Sequence, residues 1–263
     1  MESEAQPTGH PDNGKEAKAI VQRSPFFSIV LPVYNYKQVW RAICSALNQT
    51  FDDYELIIVN DGCDDGTENV IQEYEPHPKV TVITHEERQE RLISRNDGMR
   101  AARGVWIQPL DRDDELATIA LECWKYHIDM NPQFKVMNCA CLMHDRRMMP
   151  MPDGTEQRFY FWSHRRHLFK PKMLEVGHEH FDAGKISTGQ FIFMRCLLDE
   201  LDCWYPDIKS PYTFADVGGI PGYNSKVRTL GNPWGDDYWL FWKLTRKFHS
   251  LPIDLCLYYQ HIR

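Results

Sequence analysis

Residues 26–35, FFSIVLPVYN, form an apolar and partly β-branched run that is stopped by Pro32 and Asn35. Such a run predicts a buried strand. Three more apolar runs follow it along the chain, YELIIV at 54–59, VTVIT at 80–84 and VWIQPL at 105–110. Helical patterns separate these runs, and this alternation of strand and helix predicts an α/β fold with a mostly parallel central sheet flanked by helices.

The spacing of apolar residues also predicts the other elements. We expect helices over 36–49, 66–74, 87–102, 116–130 and 238–248, a further strand over 135–142 and a short closing strand within 251–263. Residues 144–235 are rich in Trp, His, Tyr, Gly and Pro, so we expect a loop-rich C-terminal half. Residues 1–24 are polar throughout and indicate a flexible tail before a single domain over 25–263.

The composition limits the class of protein. The chain has 263 residues and a formal net charge of -7, which argues against broad nucleic-acid binding, since that needs a basic face. No stretch approaches the roughly 20 continuous apolar residues of a membrane helix, and residues 1–24 lack the apolar region of a signal peptide. The eight cysteines include no C-x-x-C pair, and without a secretory signal we expect them to be reduced thiols. We therefore expect a cytoplasmic protein with no transmembrane segment and no nucleic-acid partner.

An acidic cluster follows the strand at 105–110. Asp111, Asp113 and Asp114 place three carboxylates within four residues. Carboxylates this close repel one another, and a hard divalent cation such as Mg²⁺ or Mn²⁺ relieves the repulsion and is often shared with phosphates. The alternative is a solvated acidic loop that caps the next helix, because Asp and Glu favour helix N-termini. The pattern by itself leaves both interpretations open.

Two other segments of the first half contain candidate binding residues. Asp61 follows the second strand in IIVNDGCDDGT, where a carboxylate can accept a hydrogen bond from a nucleobase imide N–H, although an ordinary Asp/Gly turn is the simpler interpretation. Arg95 and Asn96 lie in RLISRNDGMRAARG. The planar guanidinium of Arg binds phosphate oxygens with two hydrogen bonds, which suits a diphosphate. We expect most other arginines of this helix to form a solvated face.

The C-terminal half contains two further candidates. Asp236 and Asp237 precede an aromatic helix start in GNPWGDDYWLFWKL. Capping of the helix explains one acid, whereas a carboxylate in a Trp-rich pocket would have a raised pKa and could act as a general base. His261 lies in YYQHIR at the end of the chain, where a lone histidine is more often structural than a ligand.

Several blocks of the sequence, taken in order, resemble the large family 2 of inverting glycosyltransferases with the GT-A fold. The blocks are FSIVLPVYN at 27–35, SALNQTFDDYELIIVNDGCDDGT at 45–67 and SRNDGMRAARGVWIQPLDRDDEL at 94–116. GDDYWLFWKL and YYQHIR are similar to the family's E-D helix start and terminal Y-R-x-H. The resemblance implies a GT-A type fold in which 25–116 form the nucleotide-binding half and 117–263 the acceptor-binding half.

The resemblance implies roles in donor binding for residues of the first half. Asp61 matches the acid that hydrogen-bonds a uracil-type base. Arg95 matches the basic residue near the diphosphate, with Asn96 beside it in support. The strand end that packs on the base and ribose is matched by Pro32, Val33 and Tyr34.

It also implies a metal site. Asp111 matches the first acid of the family's D-x-D motif, which faces the ribose and the water shell of the metal. Asp113 matches the acid that binds the metal directly, with Asp114 close behind it. His261 matches the histidine that can complete the site. The implied cofactor is Mn²⁺ or Mg²⁺.

For the chemistry, Asp237 matches the general base of the family, and Asp236 stands where the family usually has Glu. The resemblance thus implies a metal-dependent inverting glycosyltransferase that moves a sugar from a nucleotide-diphosphate donor, with a UDP-sugar favoured, to a hydroxyl of a glycan or other acceptor. Two alternatives stay open. One is a non-catalytic module that binds sugar nucleotides or glycans, and the other is a phosphohydrolase with Asp111 as nucleophile and Asp113 as acid.

The sequence departs from the family pattern at two places that bear on donor binding. Asn60 stands where the family usually has Asp, which removes one carboxylate from the expected nucleotide site. The Gly that usually precedes the A-R-N block is missing, and EERQERLIS occupies 86–94.

Overall fold

A computed structural model describes residues 24–145, 148–150, 156–158, 188–205, 240–241, 243–245 and 247–262. The described strands are β1 (Phe27–Val33), β2 (Tyr54–Asn60), β3 (Val80–Thr84), β4 (Trp106–Pro109), β5 (Glu115–Leu116), β6 (Val136–Asp145), β7 (Met148–Pro150), β8 (Glu156–Arg158), β9 (Phe191–Met194) and β10 (Ser250–Ile262). The described helices are α1 (Trp40–Leu47), α2 (Thr67–Gln72), α3 (Arg91–Ala101), α4 (Ala120–Met130) and α5 (Leu197–Glu200). Short 3₁₀ turns occupy Lys37–Val39 and Thr188–Gln190.

Eight of these strands form one mixed sheet in the order β3-β2-β1-β4-β9-β6-β10-β5. β1 pairs in parallel with β2 and β4, β2 with β3, and β6 with β10. β9 runs antiparallel to both of its neighbours, and β5 runs antiparallel to β10. The sequence-based prediction of an α/β fold with a mostly parallel sheet flanked by helices is confirmed for the part of the chain that the structure describes.

The two faces of the sheet are covered by different helices. On one face, Ile29 and Leu31 of β1 pack in a cluster with Ile43 of α1 and Trp124 of α4. On the other face, Val30 of β1 packs in a second cluster with residues of α3 and with Leu240, Phe241 and Leu244. Because successive side chains of a strand point to opposite faces, a strand covered on both sides must be apolar throughout. This explains why β1 shows no alternation of apolar and polar residues.

Pro32 lies inside β1 rather than ending it. A proline has no N–H for the ladder, so it is normally excluded from a central strand. Val30 accepts a hydrogen bond from Leu110 on the β4 side, and Pro32 faces the same side two residues later. The paired part of β4 ends opposite Val30, at Pro109. The nitrogen of Pro32 therefore points to a position where no ladder bond is needed.

Two helices begin later than the apolar pattern predicts. α3 begins at Arg91 instead of residue 87, and α4 begins at Ala120 instead of residue 116. Glu115 and Leu116 are taken up by pairing with β10, which removes them from the helix. The closing strand is long, because β10 follows β6 over most of its length.

Several sequence-based predictions lie outside the described residues. They include nearly all of the polar segment 1–24, most of 144–235, and Asp236 and Asp237. In the described parts of the chain, no helix combines the length and the apolar character needed to cross a membrane.

Candidate functional site

The candidate site lies where β1, β2 and β4 end. β1 pairs in parallel with both neighbours, with Val33 opposite Asn60 and Val30 opposite Pro109. The segments that follow these strands therefore leave the sheet at one edge. Ligands of open α/β sheets bind at this carboxyl edge. The topology thus brings together three groups of residues that were singled out in the sequence, namely the segment Pro32–Tyr34 and the acids Asp61 and Asp111.

Asp61 is buried at the end of β2 and accepts several hydrogen bonds. Its Oδ1 accepts from the backbone N–H of Gln89 at 2.7 Å, and its Oδ2 from that of Glu90 at 3.1 Å. Only 3% of its side chain is exposed. The backbone of 86–90 surrounds this carboxylate. These residues belong to the stretch that departs from the family pattern, and they form a carboxylate-binding loop where the sequence predicted the start of a helix.

His85 is a residue of this site that the sequence analysis missed. Its Nδ1 lies 2.9 Å from Oδ1 of Asp61, and its Nε2 lies 3.1 Å from Oδ2 of Asp97. The other oxygen of Asp97 accepts from Arg100 at 2.9 Å. A signal was available, because His85 directly follows β3, whose carboxyl end meets the same edge of the sheet as those of β1 and β2.

Two close contacts and one strained residue characterise the loop over the end of β2. Gly62 has φ of 67°, and a Cβ there would lie 2.7 Å from the backbone nitrogen of Arg88. Only glycine fits this position, for both reasons. The guanidinium of Arg88 lies 4.2 Å from the ring centroid of Tyr34, within the range of a cation–π contact. Glu90 adopts φ of 79°, a conformation that costs energy for a residue with a Cβ. The loop is thus held by specific contacts rather than by helical hydrogen bonds.

Arg95 and Asp111 form an ion pair beside this loop. NH2 of Arg95 lies 2.8 Å from Oδ1 of Asp111, and only 4% of the arginine side chain is exposed. Burial acts to raise the pKa of Asp111, but the charges of Arg95, Arg91 and Arg112 outweigh it and hold the pKa below its ordinary value. The sequence analysis placed most arginines near Arg91 on a solvated face and did not single out Arg112. Both nevertheless belong to this positively charged cluster at the end of β4.

Asp113 and Asp114 differ in their surroundings. They lie in the turn that follows β4, where the N–H of Asp114 donates to the carbonyl of Asp111 at 3.1 Å. Asp114 is 3% exposed and accepts a short hydrogen bond from the hydroxyl of Tyr258 in β10. Asp113 is half-buried. The tyrosine ring in turn lies against Gly189, where a Cβ would meet it at 1.7 Å.

The remaining residues of the predicted site fall into three places. Pro32 and Arg95 line one small cavity together with Tyr205. The side chain of Val33 is buried in the core, while its carbonyl accepts from the N–H of Asp61 at 2.9 Å. Asn96 does not face this edge freely, because its amide forms two hydrogen bonds with the backbone of Tyr205, at 2.7 and 3.0 Å.

The C-terminal candidates are only partly described. His261 belongs to β10, paired with His144 of β6, and nothing of its side chain is described. Asp236 and Asp237 lie outside the described residues. Asn60, the departure from the family pattern, accepts a hydrogen bond from the N–H of Cys63 at 2.9 Å and so closes the turn after β2.

The acids after β4 are the groups of this edge that suit a cation. Within the described part of the chain, no three His, Cys, Asp or Glu side chains are grouped as a metal site. Arg95 donates to Asp111 and Tyr258 donates to Asp114, while Asp113 lies between them in the same turn. Carboxylate oxygens suit hard cations such as Mg²⁺ and Mn²⁺. These side chains therefore fit such a cation only if further coordinating atoms come from a bound substrate, from water or from the C-terminal end of the chain.

Sequence comparisons find related glycosyltransferases. Residues 28–133 match the family described as Glycosyl transferase family 2. Chondroitin synthase from Escherichia coli is 33% identical over 150 residues, which is 56% of this chain and 21% of that protein. The uncharacterized glycosyltransferase EpsJ from Bacillus subtilis (strain 168) is 27% identical over 181 residues, 60% of this chain and 52% of that protein. The chain thus spans less than two thirds of the length of these relatives.

Solved structures share the fold. TarS 1-349 of S. aureus in complex with UDP-GlcNAc has a TM-score of 0.64 at 18% identity, covering 90% of this chain and 59% of that one. The mannosyltransferase PcManGT from Pyrobaculum calidifontis, in complex with GDP-Man and Mn²⁺, has a TM-score of 0.59 at 15% identity, covering 91% and 57%. At these identities the likeness concerns the fold alone, and it agrees with the GT-A type predicted from the sequence.

Proposed function

Because residues 28–133 match glycosyl transferase family 2, we propose that the protein transfers a sugar from a UDP-sugar to a hydroxyl group of an acceptor, with inversion at the anomeric carbon. One arrangement carries the proposal. Asp61, the acid suited to a base, follows β2 at the carboxyl edge of the sheet. Arg95, the arginine suited to a diphosphate, lies on α3 and pairs with Asp111, which follows β4 at the same edge. The structures of TarS with UDP and UDP-GlcNAc support uracil as the base.

In this proposal the donor lies along the carboxyl edge. Asp61 accepts the imide N–H of uracil, and the segment Pro32–Tyr34 packs against the base and ribose. Arg95, with Arg91 and Arg112 nearby, offers positive charge to the diphosphate. Preorganised cations at a leaving group lower the barrier because negative charge develops there in the transition state.

We further propose that Asp113 is the principal metal ligand, assisted by Asp111, Asp114 and His261. The register of β5 with β10 supports this set, because Tyr259 lies opposite Glu115. Continued for two residues, that antiparallel pairing brings the backbone of His261 towards Asp113. A divalent cation bound there supplies positive charge to the diphosphate.

Asp237 is proposed as the general base, with Asp236 beside it, and this assignment rests on the resemblance of 235–244 to the family motif. The carboxylate takes the proton of the acceptor hydroxyl while that oxygen attacks the anomeric carbon. Attack from the face opposite the departing diphosphate inverts the configuration. General-base assistance of this kind contributes about 10²–10⁴-fold to the rate.

Thermal unfolding with UDP, GDP or CDP, each with and without Mn²⁺, tests the proposal. We expect UDP with Mn²⁺ to stabilise the protein by about 2.7 kcal/mol at 100 times its dissociation constant. Asp113→Ala should remove the dependence on Mn²⁺, whereas Asp237→Asn should keep the UDP shift and lose sugar transfer. The absence of a shift with every nucleotide would refute the proposal, and a shift without transfer or hydrolysis would indicate a binding module instead.

A further inference from the structure

We propose that His85 determines base specificity by positioning Asp61, with Asp97 and Arg100 behind it as support. The proposal rests on the proposed function, in which Asp61 accepts the imide N–H of the base. It adds a residue outside every sequence block that resembles the family, and it gives the departure at 86–94 a role in choosing the nucleotide.

The contacts around Asp61 account for most of its hydrogen-bonding capacity. A carboxylate has about four acceptor positions, two on each oxygen. Oδ1 is engaged twice, by the N–H of Gln89 at 2.7 Å and by Nδ1 of His85 at 2.9 Å. Oδ2 is engaged by the N–H of Glu90 at 3.1 Å. The acceptor position that remains for a base is therefore on Oδ2. The hydrogen bonds to Oδ1 fix the orientation of the carboxylate and so the direction of this free position.

The imidazole of His85 lies between two carboxylates. Its two ring nitrogens lie 2.9 and 3.1 Å from carboxylate oxygens of Asp61 and Asp97. The ring therefore links the carboxylate of Asp61 to that of Asp97. Nη1 of Arg100 lies 2.9 Å from the other oxygen of Asp97 and holds this second carboxylate in place.

The backbone of the loop is strained where it binds the carboxylate of Asp61. Glu90 keeps φ of 79° while its N–H donates to Asp61. A non-glycine residue in such a conformation is strained, and the conformation persists only where its surroundings enforce it. The backbone of Arg88 also passes within contact distance of Gly62, the residue after Asp61. Both constraints converge on the same carboxylate.

A pair of isosteres separates the two sides of the imidazole. The amide nitrogen of Asn occupies the position of Nδ1, so His85→Asn keeps a donor for Asp61. The amide nitrogen of Gln reaches the position of Nε2, so His85→Gln keeps the contact with Asp97 and loses that with Asp61. The dissociation constants of UDP and CDP are measured for each by calorimetry. N3 of cytosine carries no proton, so CDP reports binding that does not use the acceptor on Oδ2.

We expect His85→Gln to raise the dissociation constant of UDP about tenfold, as for the loss of one hydrogen bond to a charged group. The dissociation constant of CDP should change by less than about twofold. His85→Asn should stay within about threefold of the unaltered protein for both nucleotides. In the transfer assay, His85→Gln should raise KM for the donor and leave kcat unchanged. His127→Gln, at a half-buried position of α4, is the matched control and should leave both dissociation constants unchanged.

Three outcomes would overturn the inference. An unchanged ratio of UDP to CDP affinity in His85→Gln would remove the specificity role. Equal loss of both nucleotides in His85→Asn and His85→Gln would assign His85 a purely structural role. Absence of UDP binding by the unaltered protein would remove the proposed function and this inference together, whereas UDP binding without transfer would remove only the catalytic part of the proposed function.

Discussion

Asp61 and Asp111, two acids of the candidate site, are stabilised by different kinds of partner. Asp61 accepts from two backbone N–H groups and faces an imidazole. Asp111 instead pairs with a nearly buried guanidinium, that of Arg95. Backbone donors cannot be removed by substituting a side chain, but the guanidinium can. The ion pair is therefore the contact through which the electrostatics of the site can be tested most directly.

Replacing Arg95 with Met should destabilise the protein by about 2 kcal/mol at pH 7, because it leaves the partly exposed carboxylate of Asp111 without its nearest cation. The pKa of Asp111 lies below its ordinary value of 3.8. A lowered pKa stabilises the fold above the ordinary value, and this contribution is lost as pH falls through the folded-state value. The difference between Arg95→Met and the unaltered protein should therefore shrink below about pH 4. Chemical denaturation at a series of pH values measures it.

The surface pair of Lys125 and Asp129, at 2.6 Å, provides the control. It is exposed, so Lys125→Met should cost less than about 1 kcal/mol. A loss for Arg95→Met that is equally small, or that is the same at pH 7 and pH 3, would show that the pair does not set the charge state of Asp111.

At the scale of elements, α3 connects the two halves of the donor site. Its start is fixed by the loop around Asp61, and its buried face bears Arg95. Gly98 lies about one turn after Arg95 in this helix. A Cβ at Gly98 would meet Cγ1 of Val30 at 2.4 Å and Cγ2 of Val59 at 3.1 Å. The absence of a side chain therefore sets how closely α3 approaches the sheet, and with it the position of Arg95 relative to β4.

Gly98→Ala should destabilise the protein by about 1–2 kcal/mol, since the overpacking outweighs the better helix propensity of Ala. Val30→Ala opens the space that the new methyl group needs. The double variant should consequently be more stable than the sum of the single changes by about 1 kcal/mol, measured by denaturant unfolding. Val80→Ala, in the edge strand β3, should instead combine additively with Gly98→Ala. Additivity with Val30→Ala as well would disprove the close packing.

For the whole molecule, the acidic turn after β4 is tied to the end of the chain. Tyr258 lies in the middle of β10, opposite Leu116 of β5, and its hydroxyl donates to Asp114. A buried carboxylate next to the buried thiol of Cys141 needs such a donor, and burial together with the charge of Asp114 raises the pKa of that thiol. Residues far apart in sequence thus form one unit, and the shape of the acidic turn depends on the last strand.

Tyr258→Phe should destabilise the protein by about 1–3 kcal/mol, because Asp114 loses its hydroxyl donor. We also expect the stabilisation by UDP with Mn²⁺ to decrease, since the turn that bears Asp113 loses an anchor. Thermal unfolding with and without these ligands measures both effects. Tyr259→Phe, one residue later on the other face of the strand, is the control and should retain the ligand shift. If UDP with Mn²⁺ stabilised Tyr258→Phe as much as the unaltered protein, the shape of the acidic turn would not depend on the C-terminal strand.

The sequence predicted the strand pattern correctly where burial alone decides it. β1 and β2 match their apolar runs closely, because strands covered on both faces must be apolar. The edge strand β3 also matches its run, although it is only partly buried. The starts of α3 and α4 were predicted too early, since the competing partners come from distant segments. His85 was missed for the same reason, as its two carboxylate partners lie 24 and 12 residues away.

The sequence by itself determined the alternation of strands and helices, the resemblance to a family, and the residue types available at each strand end, because these follow from local pattern and order. Only the tertiary structure decided which of those residues meet. The parallel pairing of β1 with β2 and β4 brings Asp61 and Asp111 to one edge, and the loop at 85–90 fixes which oxygen of Asp61 stays available. Hydrogen bonds between segments distant in sequence leave no periodic pattern, so they become visible only when the chain is folded.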